Sequence, residues 1–331
     1  MLSALSFLSA FVGGLAALHA ALRLLSGFGA AAPDARSNHA RPTPQLGGIA
    51  LVPVWLAVVL AASALAGSIP VFSDPFFIVA VLVLFLTGIM DDRNSLGPVG
   101  KLVAQFLACG LATVALVGVL EEWPVPMLLL APATLLALVA VVNLTNFIDG
   151  LDLMAVSTVG VPSLVFVALA AAIPALAGFG PAAAACAGAF AAFATINRPP
   201  ARAFLGDSGS LPFGLILGTL AVVLAIRCGP FAAALLPAYI LLDGFYTFFK
   251  RARNGESLMT AHSSHVYQRA YRGGRSALEV TGTVAGFGMV AGLVCLAIAQ
   301  IAWPFQLLAV MAIVALWCFA AKWLTGMGKA P

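Results

Sequence analysis

The sequence predicts an all-α, polytopic transmembrane helix bundle of about eleven spans with its working site at the cytosolic face. Three observations predict it. The 331 residues are 62% hydrophobic and only 8% charged, where soluble domains carry about 25% charge. The apolar residues fall in runs of about 16–24, the length that crosses a bilayer as a helix. The cations gather in alternate loops, and the net charge of +4 matters less than that placement. One domain, 1–331, is expected.

The runs are, in order, Leu2–Leu25, Gly47–Ala66, Pro75–Met90, Leu102–Leu120, Val125–Val142, Met154–Ile173, Pro181–Ile196, Leu211–Ile226, Phe231–Phe249, Val280–Ala302 and Phe305–Leu324. The last two are divided only by Trp303-Pro304, so ten spans is the alternative. The first run precedes its first cation, Arg23, which favours a retained helix with its N-terminus outside the cytosol over a cleaved signal. Sorting the loops alternately puts every Lys and Arg except Arg227 on one side, which the positive-inside rule makes cytosolic. Asp74, Glu121 and Glu122 fall on the other side. Cys109, Cys186, Cys228, Cys295 and Cys318 are far apart and form no C-x-x-C or Cys/His cluster, so disulfide, zinc and iron–sulfur chemistry is not expected.

Nearly everything polar lies on the cytosolic side. The uncharged run Pro75–Leu86 leads into Thr87-Gly88-Ile89-Met90-Asp91-Asp92-Arg93, with Lys101 close behind. A carboxylate at mid-bilayer costs about 2.5–3.5 kcal/mol, and two side by side repel. Asp91 and Asp92 therefore suit a proton acceptor, a nucleophile or a cation site. The plain alternative is a helix-end pair balanced by Arg93. Asp149, Asp152 and Asp207 add carboxylates at two further loop–helix junctions. Oxygen ligands without Cys or a tight His cluster suit Mg²⁺ or Mn²⁺, which takes one or two carboxylates plus substrate phosphates. Neighbouring Lys and Arg suit phosphate, and Gly150, Gly206 and Gly209 let backbone amides approach an anion. Each motif also has a structural reading. Gly206–Ser210 could cap a helix, Asn143 and Asn146 could bond between helices, and His262 and His265 could be solvated. Lys250-Arg251-Ala252-Arg253 could anchor headgroups, and Asp243, inside an apolar run, could pair with a helix or support the site. Together, the acids and cations on one face imply a phosphate-bearing substrate at the membrane surface.

The order Arg41-Pro42-Thr43-Pro44…Gly47-Gly48, Asp91-Asp92-Arg93…Lys101, Asn143-x-x-Asn146-x-x-Asp149-Gly150-x-Asp152, Phe204-x-Gly206-Asp207-x-Gly209-Ser210 and His262-x-x-His265 resembles the polyprenyl-phosphate N-acetylhexosamine-1-phosphate transferases, glycosyltransferase family 4. Five motifs in order, from Arg41 to about Arg272, carry the resemblance. The ending Tyr267-Gln268-Arg269 is similar to the bacterial branch that initiates O-antigen or other surface polysaccharides. The lipid I-forming branch has three consecutive histidines there.

The resemblance implies Mg²⁺-dependent transfer of N-acetylhexosamine-1-phosphate from a UDP-N-acetylhexosamine to undecaprenyl phosphate, with UMP released, in the bacterial inner membrane. Mn²⁺ is the substitute metal. Asp207 would bind metal, Asp91 would act on the lipid phosphate with Asp92 beside it, and Lys101 would steady phosphate. Asn146 and Asp149 would shape the cleft, Gly150, Leu151 and Asp152 would contact uracil, and Phe204 would stack on it. His262, His265 and Arg269 would face the diphosphate. No nucleic-acid partner is implied, and a homodimer is left open. Leu153 departs from the family, which has Gly after the last Asp of the third motif; its Cβ resists left-handed angles, so the turn is expected to differ. Ser263-Ser264 departs from more basic versions of that loop. Two readings outside the family remain: a secondary transporter, and a CDP-alcohol phosphotransferase, of whose motif only Asp149-Gly150 is present.

Overall fold

The computed structural model describes residues 1–25, 29, 43–94, 96–257 and 264–326. The described residues form helices joined by short connections. The first six are α1 (Leu2–Leu24), α2 (Gly47–Ala66), α3 (Pro75–Arg93), α4 (Gly97–Ala115), the single turn α5 (Val117–Leu120) and α6 (Met127–Ile148). A π-helical turn, Val156–Gly160, runs into α7 (Val161–Ala172), and a 3-10 turn, Pro174–Phe179, into α8 (Gly180–Asn197). Then follow α9 (Asp207–Cys228), α10 (Pro230–Leu235), α11 (Ala238–Arg253), α12 (Val266–Arg272), α13 (Ala277–Ile298) and α14 (Trp303–Thr325).

Among the described residues, 9 helical segments are long and apolar enough to cross a membrane. The two other expected runs are also helical but shorter: Val156–Ala172, and the α10–α11 pair interrupted before Ala238. The polytopic bundle is therefore as expected. The last two runs are separate helices: α13 ends at Ile298 and α14 starts afresh at Trp303 with Pro304 in its first turn, where a missing N–H costs nothing. Local chemistry sets other ends in the same way. The Asp74 carboxylate accepts the Phe76 N–H at 2.8 Å ahead of α3. Ser276 and Glu279 form a capping box on α13.

Two helices are the axis of the bundle. α8 and α9 are buried along most of their length, whereas the outer helices expose large apolar side chains such as Leu86, Phe249 and Phe319. Eleven of the 18 residues of α8 are Ala or Gly, which lets a neighbouring backbone come close without an overlying side chain. α1 uses this: a Cβ on Gly188 would sit 2.2 Å from the Phe7 carbonyl oxygen. α9 is gripped at its N-terminus. A Cβ on Gly48 of α2 would lie 2.1 Å from the Gly209 nitrogen, and one on Gly88 of α3 would lie 2.3 Å from the Ser208 nitrogen. That grip brings the C-terminal turn of α3 against the first turn of α9.

Candidate active site

The site is built where α3 and α6 end and α4 and α9 begin. The Asp91-Asp92 pair is in the last turn of α3, which continues to Arg93, beyond the apolar run. The two carboxylates part there. Asp92 turns to α9 and accepts the Asp207 N–H at 2.8 Å and the Ser208 N–H at 3.0 Å. It thus caps a helix from another segment, satisfying amides that have no partner within α9. Gly206, at φ 74, is required beneath it, since a Cβ there would meet Asp92 Oδ2 at 2.7 Å.

Asp91 turns the other way. Its Oδ1 accepts the Leu96 N–H at 2.9 Å, which ties down the α3–α4 connection, and its Oδ2 pairs with Lys101 Nζ at 2.8 Å. The same ammonium pairs with Asp207 Oδ2. Asp207 Oδ1 accepts from Asn146 Nδ2 at 2.9 Å, and Asn146 also donates to Ser210 Oγ at 2.9 Å. One lysine therefore bridges carboxylates from two helices, while an asparagine from a third fixes the second carboxylate in plane. Each charged oxygen has a charged or hydrogen-bonding partner, as a partly buried cluster needs.

A cleft of about 200 Å³ opens beside this cluster. Asn146, Asp149, Gly150, Leu151, Asp152, Phe204 and Asp207 line it, together with Gln45, Asn197 and Ser210, whereas Asp91, Asp92 and Lys101 do not. Asp149 is the C-cap of α6, and burial together with the Asp207 and Asp92 charges pushes its carboxyl up to about 7. Asp152 Oδ2 accepts the Ala201 N–H at 3.1 Å and closes one wall. The lining also includes a short parallel pairing of two loops: Phe204 donates its N–H to Pro44 O at 2.9 Å, and the Gly47 N–H returns to Phe204 O at 2.9 Å. The first loop thereby carries Gln45 into the cleft beside Phe204.

Three expectations fare differently. The turn at Leu153 keeps the left-handed angle, φ 64, despite its Cβ. Asn197 explains how: its Oδ1 accepts the Leu153 N–H at 2.7 Å while its Nδ2 donates to Ala203 O at 2.9 Å. Leu153 therefore takes the left-handed angle that its Cβ was expected to resist. His265 is 3% exposed and does not line the cleft; it is the N-cap of α12, with Nδ1 3.5 Å from Asp243 Oδ1. Arg269, on α12, is half-buried and does not line the cleft either, and His262 lies outside the described residues. Asp243, fully buried, receives the Val266 N–H at 2.9 Å, so it supports the segment next to the site.

Among the described residues no group of three or more His, Cys, Asp or Glu gathers as a ready metal cage. Asp91 and Asp207 do share one cation, Lys101, and two carboxylates completed by water and substrate phosphate are what Mg²⁺ uses. The residues fit that kind of site, in which Asp207 and Asp91 would be the protein ligands.

Fold and site together define a polytopic membrane protein with an acidic, lysine-bridged cleft at one end of its helices. Residues 75–225 match the family model described as glycosyl transferase family 4. A phospho-N-acetylmuramoyl-pentapeptide-transferase from Synechococcus sp. (strain RCC307) is 35% identical over 210 residues, covering 55% of this chain and 54% of the relative. A decaprenyl-phosphate N-acetylglucosaminephosphotransferase from Mycolicibacterium smegmatis is 31% identical over 288 residues, 75% of this chain and 70% of the relative. A probable undecaprenyl-phosphate N-acetylglucosaminyl 1-phosphate transferase from Bacillus subtilis is 26% identical over 251 residues, 72% and 68%. The chain spans about half the length of the Synechococcus relative it matches. The chain belongs to glycosyl transferase family 4, the family that its loop motifs resemble.

Proposed function

We propose that this protein transfers N-acetylhexosamine-1-phosphate, with N-acetylglucosamine as the leading sugar, from a UDP-sugar to undecaprenyl phosphate. An oxygen of the lipid phosphate bonds to the β-phosphorus of the UDP-sugar, the bridging P–O bond to UMP breaks, and UMP leaves with that oxygen. The product is undecaprenyl-diphosphate-sugar, the first lipid intermediate of an O-antigen or other surface polysaccharide. The cleft end faces the cytosol of a bacterial inner membrane, where nucleotide arrives from water and the polyprenyl chain stays in lipid.

The observation that carries the reading is the Lys101 bridge between Asp91 and Asp207 at the mouth of a cleft lined by Asn146 and Asp149. Joining two phosphorylated reactants concentrates negative charge, and fixed cations are what such a step needs. Lys101 supplies one positive charge from the protein. Mg²⁺ bound at Asp207 and Asp91 would supply further charge to offset the diphosphate. Asp91, held by Leu96 and Lys101, would act on the lipid phosphate. Gly150, Leu151 and Asp152, which line the cleft, would contact uracil, and Phe204 would stack on it. The names of the mycobacterial and Bacillus relatives support this substrate class.

The Synechococcus relatives favour a second reading, transfer of phospho-N-acetylmuramoyl-pentapeptide. Purified protein, undecaprenyl phosphate, Mg²⁺ and a panel of UDP-sugars that includes UDP-N-acetylmuramoyl-pentapeptide separates the two. UMP release with an N-acetylhexosamine lipid product, identified by mass and abolished by EDTA, is expected. Turnover of the pentapeptide substrate alone installs the second reading. Substrate flux in liposomes without any UDP-sugar turnover sinks both.

A further inference from the structure

The cleft wall Asp149-Gly150 is held from behind by a segment that the reaction above does not use. α12 begins after His265, and its start is pinned by Asp243 of α11, whose carboxylate is fully buried. Asp243 Oδ1 accepts the Val266 N–H at 2.9 Å and the Thr247 hydroxyl at 3.2 Å, and Oδ2 accepts the Tyr239 hydroxyl at 3.2 Å. One buried carboxylate thereby joins two helices. A buried polar group is retained only where such partners satisfy it, and this one fixes where α12 starts.

The next residue but one is Tyr267, also fully buried. Its ring stacks on His265 with centroids 5.9 Å apart. Its hydroxyl donates to the Phe147 carbonyl at 3.2 Å, in the last turn of α6, and contacts the Gly150 amide. A Cβ on Gly150 would lie 2.3 Å from that hydroxyl, but 3.3 Å from the ring carbon bearing it. The phenol therefore occupies the space behind the turn that follows Asn146 and carries Asp149, Gly150 and Leu151 into the cleft.

We propose that Tyr267 is a positioning residue for the nucleotide wall, and that Asp243 sets it in place through the start of α12. This rests on the reading that the cleft takes a uridine nucleotide. Tyr267 touches no reactant; it fixes the backbone from which Gly150 and Leu151 meet the base. Nucleotide affinity, more than the chemical step, depends on it.

The test compares wild type, Tyr267→Phe, Gly150→Ala and the double variant as purified full-length protein. Tyr267→Phe removes one hydroxyl and keeps the ring. UMP affinity is expected to fall about tenfold, with KM for the UDP-sugar rising in parallel and kcat within about twofold. Amide exchange in a peptide covering 147–153 is expected to quicken. Gly150→Ala should cost more, because its methyl meets the hydroxyl. In the double variant that hydroxyl is gone, so UMP should bind more tightly than to Gly150→Ala alone. Losses that simply multiply, or a kcat that falls while KM holds, overturn the proposal. So does unchanged exchange over 147–153. If wild-type protein binds no UMP, the nucleotide reading falls with the affinity claim, and the exchange comparison still decides whether Tyr267 holds the turn.

Discussion

Gly88→Ala adds one methyl where α3 meets α9. The new Cβ would stand 2.3 Å from Ser208 N and 2.4 Å from the Asp207 carbonyl carbon and oxygen, all of them backbone, where ordinary contact begins at 3.4 Å. No flexible side chain can move aside, so the helices must separate by about 1 Å at this point. The Asp92 bonds to Asp207 N and Ser208 N, now 2.8 and 3.0 Å, then stretch past hydrogen-bonding range. The carboxylates of Asp91 and Asp207 no longer meet on Lys101. Overpacking alone costs about 1–3 kcal/mol of stability. A displacement of this size between reacting groups costs about 100-fold in rate. The assay is UMP release by purified protein, paired with thermal unfolding in the same detergent. Gly110→Ala is the control, since nothing lies within 4 Å of its Cβ position, and it should stay within about twofold of wild type. A Gly88→Ala protein with wild-type rate and unfolding midpoint would refute the claim that this helix contact sets the acidic cluster.

Three further outcomes follow from the same geometry. Lys101→Met leaves Asp91 and Asp207 without their shared ammonium; turnover should fall about 100-fold or more, while half-saturation by Mg²⁺ moves to lower concentration because no cation competes for the carboxylates. A rise in the Mg²⁺ requirement would speak against the shared site. Asp149, with its carboxyl raised from 3.8 to about 7, holds its proton more tightly in the folded protein than in the unfolded chain. Stability should therefore fall as pH rises from the ordinary carboxylate range to about 7 and level off above it, and Asp149→Asn should flatten that part of a thermal midpoint-against-pH curve. Leu153→Gly relieves a left-handed angle but frees the unfolded chain, so stability should change by no more than about 1 kcal/mol and UMP release should stay near wild type. A larger loss would mean that the leucine side chain, not Asn197, holds the turn.

How much of this could be read in the letters depends on what physics each letter answers to. The bilayer fixes helix length, so apolar runs gave nearly every span, including the separate α13 and α14. Polarity misplaced helix ends. Asn143–Ile148 and Asp91–Arg93 look like loop by hydropathy, yet they continue α6 and α3, because a helix does not stop where the apolar run does. The seven-residue α12 has no span-length signal and depends on Asp243, far off in sequence, for its start. The acids and Lys101 stood out because charge at a membrane edge demands a reason. Asp92 looked like the equal of Asp91, and only three-dimensional placement assigns it to the α9 amides. Gln45 and Asn197 were visible in polar loops, but their part in the cleft comes from the pairing of residues 44–47 with 204 and from the Leu153 turn, neither of which leaves a periodic trace.

The pairing of α1 with α8 has a consequence for biogenesis. α1 ends at Leu24, and α8 does not begin until Gly180. At about 5–20 residues per second, the ribosome takes roughly 8–30 s to make the intervening chain. Through that interval the first helix stands in the bilayer without the neighbour whose glycine it will cover at Phe7. Its docking on α8 therefore follows its own synthesis by at least that interval. Whatever shields that surface in the meantime, lipid or an insertion chaperone, is displaced when the alanine-rich helix arrives.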